Sequence, residues 1–452
     1  MGRITLEQAA AWCGGVIDPK YKDVAFLGAS NDTRTIQPGQ MFLALQGVRD
    51  GHDFVPQALE KGAAAVLCQH CDGDYPAIVV PDTRIALGQI ALGERTRLGF
   101  TAVGITGSVG KSTTKEMVSA VLETTYRVAK TPANHNNDIG MPMAILAMPE
   151  DTQVAVLEMG MNHFREMAYL SGIARPDLAV IVNIGTMHME HLGSREGILQ
   201  AKLEILEGME MGKPLLLNGD DDLLRGAKIS GRPVTFFGWK EDCCTVRGSD
   251  VEISTGCARF RVRYEDQAYS VELPVEGEHF VTDALAAIAV GVQLKVKPSD
   301  IQRSLSEFRN MAGRQEIRKE KGYTIIADCY NAGPESMKAA LGVLGAQQGR
   351  RIAVLGDMLE LGVCTQAEHY KVGRVAAEKA DLLLSYGPNS GRVLNGAITG
   401  GMVDGKAKAF TDRAELVRSL KRVARPGDVI LFKGSRGMHM EIAMEQFLAD
   451  EK

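Results

Sequence analysis

Short apolar runs recur along this chain, and polar or small residues follow nearly every one. Runs at 41–45, 63–67 and 77–80 predict strands in the first hundred residues, with a helix over 54–61 closed by Gly62. Runs at 100–105, 153–159, 178–184 and 214–217 predict a second set of strands, and those at 323–327, 351–355, 382–385 and 429–432 a third. Helical stretches at 115–123, 334–344 and 366–379 alternate with them, and the alanine-rich 283–294 predicts a buried helix. Such alternation builds parallel sheets covered on both faces. Residues 233–274 differ: short β-rich runs such as 257–264 predict an antiparallel excursion from the main sheet. The pattern divides the chain into three α/β segments, 1–98, 99–312 and 313–452, without a repeat or a low-complexity linker.

A length of 452 residues supports that division, being too long for one core. The net charge of -5 and the lack of a basic run exclude a general affinity for nucleic acid. No uncharged apolar run reaches bilayer length, so no membrane span is expected. Residues 1–15 are amphipathic, contain Glu7 and lack the charge and apolar pattern of an export signal; a cytoplasmic protein is expected. The eight cysteines are scattered and read as reduced thiols. Cys68 and Cys71 have zinc-like spacing, but no second ligand pair lies nearby.

Chemistry concentrates at 104–114, Gly-Ile-Thr-Gly-Ser-Val-Gly-Lys-Ser-Thr-Thr. A strand, a glycine turn (Gly107, Ser108, Val109, Gly110) and a helix N-terminus (Lys111, Ser112, Thr113) form a phosphate cradle. Backbone N–H groups turn inward there, and the helix end adds partial positive charge. Lys111 reaches the β/γ-phosphates and the Ser112 hydroxyl ligates Mg²⁺. Ile105 stands where the common P-loop has its first glycine, so this is the shorter Gly-x-x-Gly-Lys-Ser form. An ordinary strand–turn–helix with a chance lysine is the alternative; spacing and context favour a nucleotide.

Polar residues at strand ends are where a doubly wound sheet binds ligands. Glu158 ends the strand after the P-loop unit and suits a metal bridging the phosphates. His188 lies in a loop that also holds Glu190 and His191, and there a structural and a ligating role weigh evenly. Lys202, inside the helical stretch 196–207, reads by itself as a solvated lysine. The amide-rich loop with Asn134, Asn136 and Asn137 reads either as a polar ligand site or as a long turn. The clusters at 31–34 and 50–53 read as turn chemistry when taken alone. In the third segment Asp328, Asp357 and the run Lys433-Gly434-Ser435-Arg436 follow strands.

Taken together, these motifs resemble the Mur ligase family, and within it the branch that adds a dipeptide. The likeness is carried by Asp32-Thr33-Arg34, Asp50-Gly51-His52-Asp53-Phe54, the P-loop, Leu157 to His163, Asn183 to Gly193 and Ala201-Lys202-Leu203-Glu204. It continues through Gly313-Arg314, Tyr330-Asn331-Ala332-Gly333-Pro334, VLGDMLELG at 354–362 and Lys433 to Gly437.

The resemblance implies three domains: a small α/β N-terminal domain for the UDP end of a sugar nucleotide, a central P-loop domain with a doubly wound, mostly parallel sheet for ATP, and a Rossmann-like C-terminal domain that closes over both. It implies an ADP-forming ligase of peptidoglycan precursor synthesis, joining UDP-N-acetylmuramoyl-tripeptide to D-alanyl-D-alanine through an acyl phosphate. By the same resemblance, ATP and two Mg²⁺ serve as cofactors, with Glu158, His188 and a carbamylated Lys202 holding the second ion. Asp328 is implied at the ATP ribose and Arg314 at the phosphates. Thr33, Arg34, Asp50, His52, Asn134, Asn136, Asn137, Tyr330, Asn331, Asp357, Lys433, Ser435 and Arg436 are implied to contact substrate. The family run His-Asn-x-x-Asn facing adenine here reads His279-Phe280-Val281-Thr282-Asp283, leaving Asp283 as the residue carried over to the nucleotide. A monomer is expected. Competing readings are a third-residue-adding or folylpolyglutamate synthase type of ligase, against which residues 30–54 argue in the second case, and a non-catalytic precursor-binding paralog.

Overall fold

The computed structural model describes residues 4–311 and 313–449. The first three residues of the amphipathic N-terminal stretch and the boundary position 312 lie outside the described residues.

The first domain carries a parallel four-stranded sheet in the order Ala29–Ser30, Met41–Leu43, Ala65–Cys68, Ala77–Val79. The strands from Met41 to Ile78 are buried almost throughout, as parallel strands covered on both faces must be. The helix expected at 54–61 is present as Val55–Glu60, entered through a short 3₁₀ turn, Gly51–Phe54.

A helix that the periodicity does not announce, Thr83–Leu98, joins this domain to the next. Asp82 caps it by accepting from the N–H groups of Arg84 and Ile85, and Gly99 ends it in the left-handed conformation. It is gripped from both sides. A Cβ on Gly88 would lie 2.3 Å from the Tyr169 hydroxyl of the central domain, and one on Gly93 would lie 2.1 Å from the Trp12 ring of the first. Leu87, Ile90 and Ala91 belong to one hydrophobic core that runs from Ile4 to Leu224 across the boundary.

The central sheet has nine strands, in the order Gln267–Leu273, Cys257–Tyr264, Val246–Ser254, Val234–Gly238, Leu215–Asn218, Leu178–Ile181, Thr101–Thr106, Val154–Glu158, Val128–Lys130. Its last seven strands run parallel; the hairpins from Val246 to Leu273 are antiparallel, as the alternation at 233–274 predicts. Helices Lys111–Glu123 and Glu278–Gln293 pack on one face of this sheet, the second with every residue from Val281 to Gly291 buried except Thr282.

Two boundary differences bear on the site. The P-loop helix starts at Lys111, not at 115, so Lys111 and Ser112 occupy its first turn. The strand expected over 178–184 stops at Ile181, because the Asn183 side chain is diverted to the P-loop.

The third domain has six strands in the order Glu316–Glu320, Tyr323–Asp328, Val429–Lys433, Arg351–Gly356, Leu382–Tyr386, Ala407–Phe410. All neighbours are parallel except the first pair. The four strands expected from sequence are its centre; the charged edge strand Glu316–Glu320 and the short Ala407–Phe410 are not apolar enough to stand out.

Candidate active site

The P-loop strand is buried from Ala102 onward and delivers Gly107 to the rim of a cavity of about 520 Å³. Asn183 fixes the turn: its Oδ1 accepts from the Ser108 and Val109 N–H groups at 3.1 and 3.0 Å, and its Nδ2 donates to the Val109 carbonyl at 3.0 Å. Gly110 has φ +83, and a Cβ there would lie 2.6 Å from Asp283 Oδ1, so both conformation and space require glycine. Lys111 Nζ donates to the Gly107 and Ser108 carbonyls at 2.8 and 3.2 Å, which holds the ammonium over the turn. Burial lowers its pKa, while the Glu158 carboxylate works in the opposite direction.

Below the turn sits Glu158, 2 % exposed. Its Oε2 accepts from Ser112 Oγ at 2.6 Å and its Oε1 from Asn136 Nδ2 at 2.8 Å, while its N–H donates to Thr131 Oγ1. Lys115, wholly buried, stands 3.8 Å from Glu158 Oε2 and donates to the Thr131 carbonyl at 2.8 Å. The amide-rich loop is thereby drawn onto the P-loop helix. Asn134 and Asn136 face the cavity; Asn137 also lines it, although its Oδ1 caps the next helix by accepting from Gly140 N–H.

His188 lines the same cavity, and burial lowers its pKa. Lys202 lies behind, 2 % exposed, with no hydrogen-bond partner for its ammonium among the described residues. Burial, helped by the Lys111 charge, pushes its pKa well below the ordinary lysine value. Asp283 is buried, and burial raises its pKa to about 8 against the hydrogen bond from Thr114 Oγ1 at 2.9 Å. Near neutral pH its carboxyl thus keeps its proton, a neutral group close in shape to an amide. His279, on the same wall, has its pKa lowered to about 4 by burial.

The third domain supplies the opposite wall. The Arg314 guanidinium lies 3.9 Å above the Tyr330 ring centre. Lys433 Nζ donates to Asp328 Oδ2 at 2.6 Å and to the Asn331 carbonyl at 3.0 Å. Arg314, Asp328, Tyr330, Asn331 and Lys433 all line the cavity together with Ser108 to Thr113, Glu158, His188 and Asp283. The N–H and hydroxyl of Thr186 donate to Glu335 Oε1 at 3.1 and 3.0 Å, closing the two walls against each other.

Other predicted residues lie elsewhere. Asp357 is buried with its carboxylate turned inward, accepting from the Asn389 N–H and Nδ2. Ser435 accepts from Leu359 N–H and donates to the Ala332 carbonyl, so it supports the wall from behind; Arg436 is exposed and pairs with Glu441.

In the first domain Asp32 holds Arg34, whose guanidinium brings the Asp32 pKa down to about 2. Thr33 Oγ1 donates to Gln57, and Asp50 accepts from His52, whose ring stacks 4.2 Å from His70. None of Thr33, Arg34, Asp50 and His52 lines the central cavity. Lys115 and Glu335 carry no role in the sequence reading, and Asn183 and His279 enter it only inside quoted motifs. The signals that hint at them are the strand-end position of Asn183 and the place of Lys115 one turn into the P-loop helix.

The phosphate turn opens on a gap between its own sheet and a second α/β domain, so the cavity lies where two bodies meet. Fold and site together define a P-loop enzyme whose cavity is completed by a separate domain. The Mur ligase middle domain family matches residues 105–291, the Mur ligase glutamate ligase domain residues 313–436, and the Mur ligase catalytic domain family residues 26–95. UDP-N-acetylmuramoyl-tripeptide–D-alanyl-D-alanine ligase of Bacillus subtilis (strain 168) is 41 % identical over 437 residues, covering 95 % of this chain and 94 % of that one.

The chain belongs to the Mur ligase family. A crystal structure of MurF from Acinetobacter baumannii superposes with a TM-score of 0.91 at 33 % identity, covering 99 % of both chains. MurF ligase from Thermotoga maritima in complex with ADP does so with a TM-score of 0.81 at 29 % identity, covering 93 % of this chain and 97 % of that one. Among the described residues no helix is long and apolar enough to cross a membrane.

Proposed function

We propose that this chain is the ATP-dependent ligase that joins D-alanyl-D-alanine to UDP-N-acetylmuramoyl-tripeptide, a cytoplasmic step of peptidoglycan precursor synthesis. The observation that carries the reading is the single cavity in which the P-loop, Glu158 and His188 face Arg314, Asp328 and Lys433. It agrees with the reaction in the names of whole-length relatives.

The terminal carboxylate of the tripeptide attacks the γ-phosphorus of ATP, ADP leaves, and an acyl phosphate forms. The dipeptide amine then attacks the acyl carbon, phosphate leaves, and the nitrogen gives up its proton. Carboxylate and triphosphate repel each other, so the site must supply positive charge and hold the reactants in line. Lys111 comes from the central wall and Arg314 from the third domain, so the full charge is assembled only when both walls meet. Asp328, tethered by Lys433, offers a carboxylate oxygen to the ribose hydroxyls.

The donor set beneath the turn fits Mg²⁺: the Ser112 hydroxyl and the Glu158 carboxylate are hard oxygen donors already 2.6 Å apart, and His188 adds a ring nitrogen. Bound there, Mg²⁺ would neutralise phosphate charge. Lys202 cannot ligate as an ammonium. As the neutral amine that burial favours, it would react with CO₂, forming an N–C bond and releasing a proton, to become an anionic carbamate.

The test is phosphate release by the purified chain. Release should require both the UDP-tripeptide and D-alanyl-D-alanine, should not respond to L-glutamate, and should vanish in Lys111→Ala. Stimulation by glutamate, or release independent of the UDP-tripeptide, would overturn the assignment.

A further inference from the structure

His188 and Glu360 meet across the domain boundary, with Nδ1 and Oε2 2.8 Å apart. Both are non-glycine residues in the left-handed region, with φ 64 and 61, a conformation that persists only where the surroundings enforce it. Their contact is part of a longer seam. Gly362 lies so close to Glu190 that a Cβ would sit 2.9 Å from its Cα, and Cys364 Sγ is 3.3 Å from Met189 Sδ. A carboxylate only accepts, so the proton of a neutral His188 ring resides on Nδ1 and the lone pair on Nε2. The ring itself lines the cavity.

We propose that Glu360 is a positioning residue of the third domain that sets the tautomer and orientation of His188, so that the metal-binding loop becomes competent only when the domain is seated on it. Histidine ligands are commonly oriented through their second nitrogen by a carboxylate; here that carboxylate belongs to a different domain, 172 residues further on. The two bodies are therefore coupled: seating the third domain presents Nε2 to the cavity, and a cation held there favours the seated arrangement. This rests on the ligase reading for the identity of the cation, but not for the tautomer.

Two measurements on the full chain test it. Long-range ¹H–¹⁵N spectra of histidine-labelled protein, with His188 assigned by its loss in His188→Gln, should show the Nδ1–H form. In Glu360→Ala the balance should move toward Nε2–H. Mn²⁺ titration in the presence of a non-hydrolysable ATP analogue should show affinity about tenfold weaker in Glu360→Ala, and a smaller loss in Glu360→Gln, whose carbonyl still accepts. Glu360 is half exposed, so these variants leave no buried void, and matched melting curves check that they fold. Cys364→Ser, in the same segment but off the histidine, should keep the wild-type tautomer and affinity.

An unchanged tautomer and Mn²⁺ affinity in Glu360→Ala would overturn the inference, as would an equal loss in Cys364→Ser, while leaving the ligase reading intact. Wild-type protein that took up no Mn²⁺ beside the nucleotide would remove both.

Discussion

Lys115 Nζ stands 3.8 Å from Glu158 Oε2, the same oxygen to which Ser112 Oγ donates at 2.6 Å. A buried ammonium and a hydroxyl thus share one carboxylate, and the ammonium also holds the Thr131 carbonyl. The strand end, the helix start and the amide loop are locked at one point.

Removing that ammonium strands a buried carboxylate and a carbonyl. Lys115→Met should destabilise the chain by about 3–5 kcal/mol, read from denaturant midpoints. It should also raise the KM for the UDP-tripeptide as the amide loop loosens. A change under about 1 kcal/mol would show the pair to be solvated in solution.

Lys202 predicts the opposite sign. Its buried amine has no hydrogen-bond partner among the described residues, so Lys202→Met should leave the melting temperature unchanged or raise it while abolishing acyl-phosphate formation. Lys202→Ala should regain part of that step when short carboxylates are added, because they replace the missing anion. Full activity in either variant would remove the carbamate role.

Asp283 makes stability depend on pH. Its folded pKa, about 8, lies above the unfolded value of 3.8, so between these limits the unfolded chain binds fewer protons and stability falls as pH rises. Asp283→Asn should abolish this contribution. Its melting-temperature gain over wild type should grow from pH 4 to pH 8 and then level off. A gain that did not vary with pH would place the proton elsewhere.

Arg314 reaches the cavity from the third domain with its plane over Tyr330. Lysine keeps the charge but loses the stacked plane and the forked donors. Arg314→Lys should slow single-turnover ADP formation by about 10²-fold or more, with little change in melting temperature. Near-normal turnover would mean that Lys111 supplies sufficient charge alone.

Fully buried parallel strands read clearly in the sequence, because both faces demand apolar residues and the run is unbroken. The phosphate turn was legible because its glycines and lysine are fixed by local backbone geometry. What the residues taken singly do not reveal is set by distant partners. Lys202 looks like any helix lysine until the fold buries it, and Glu360 lies 172 residues from the histidine it meets. Asp357 shows the reverse: its strand-end position suggests a ligand, yet the adjoining turn brings Asn389 to its carboxylate. Helix Thr83–Leu98 was missed because a rod packed between two bodies has no single apolar stripe.

That same rod bears on how such ligases can be recombined. A breakpoint after residue 98 would set Gly88 against a stranger's residue in place of Tyr169, and one before Asp82 would do the same to Gly93 and Trp12. Neither splice is neutral, so the first domain and its neighbour should travel through evolution, and through any engineered chimaera, as an inseparable pair.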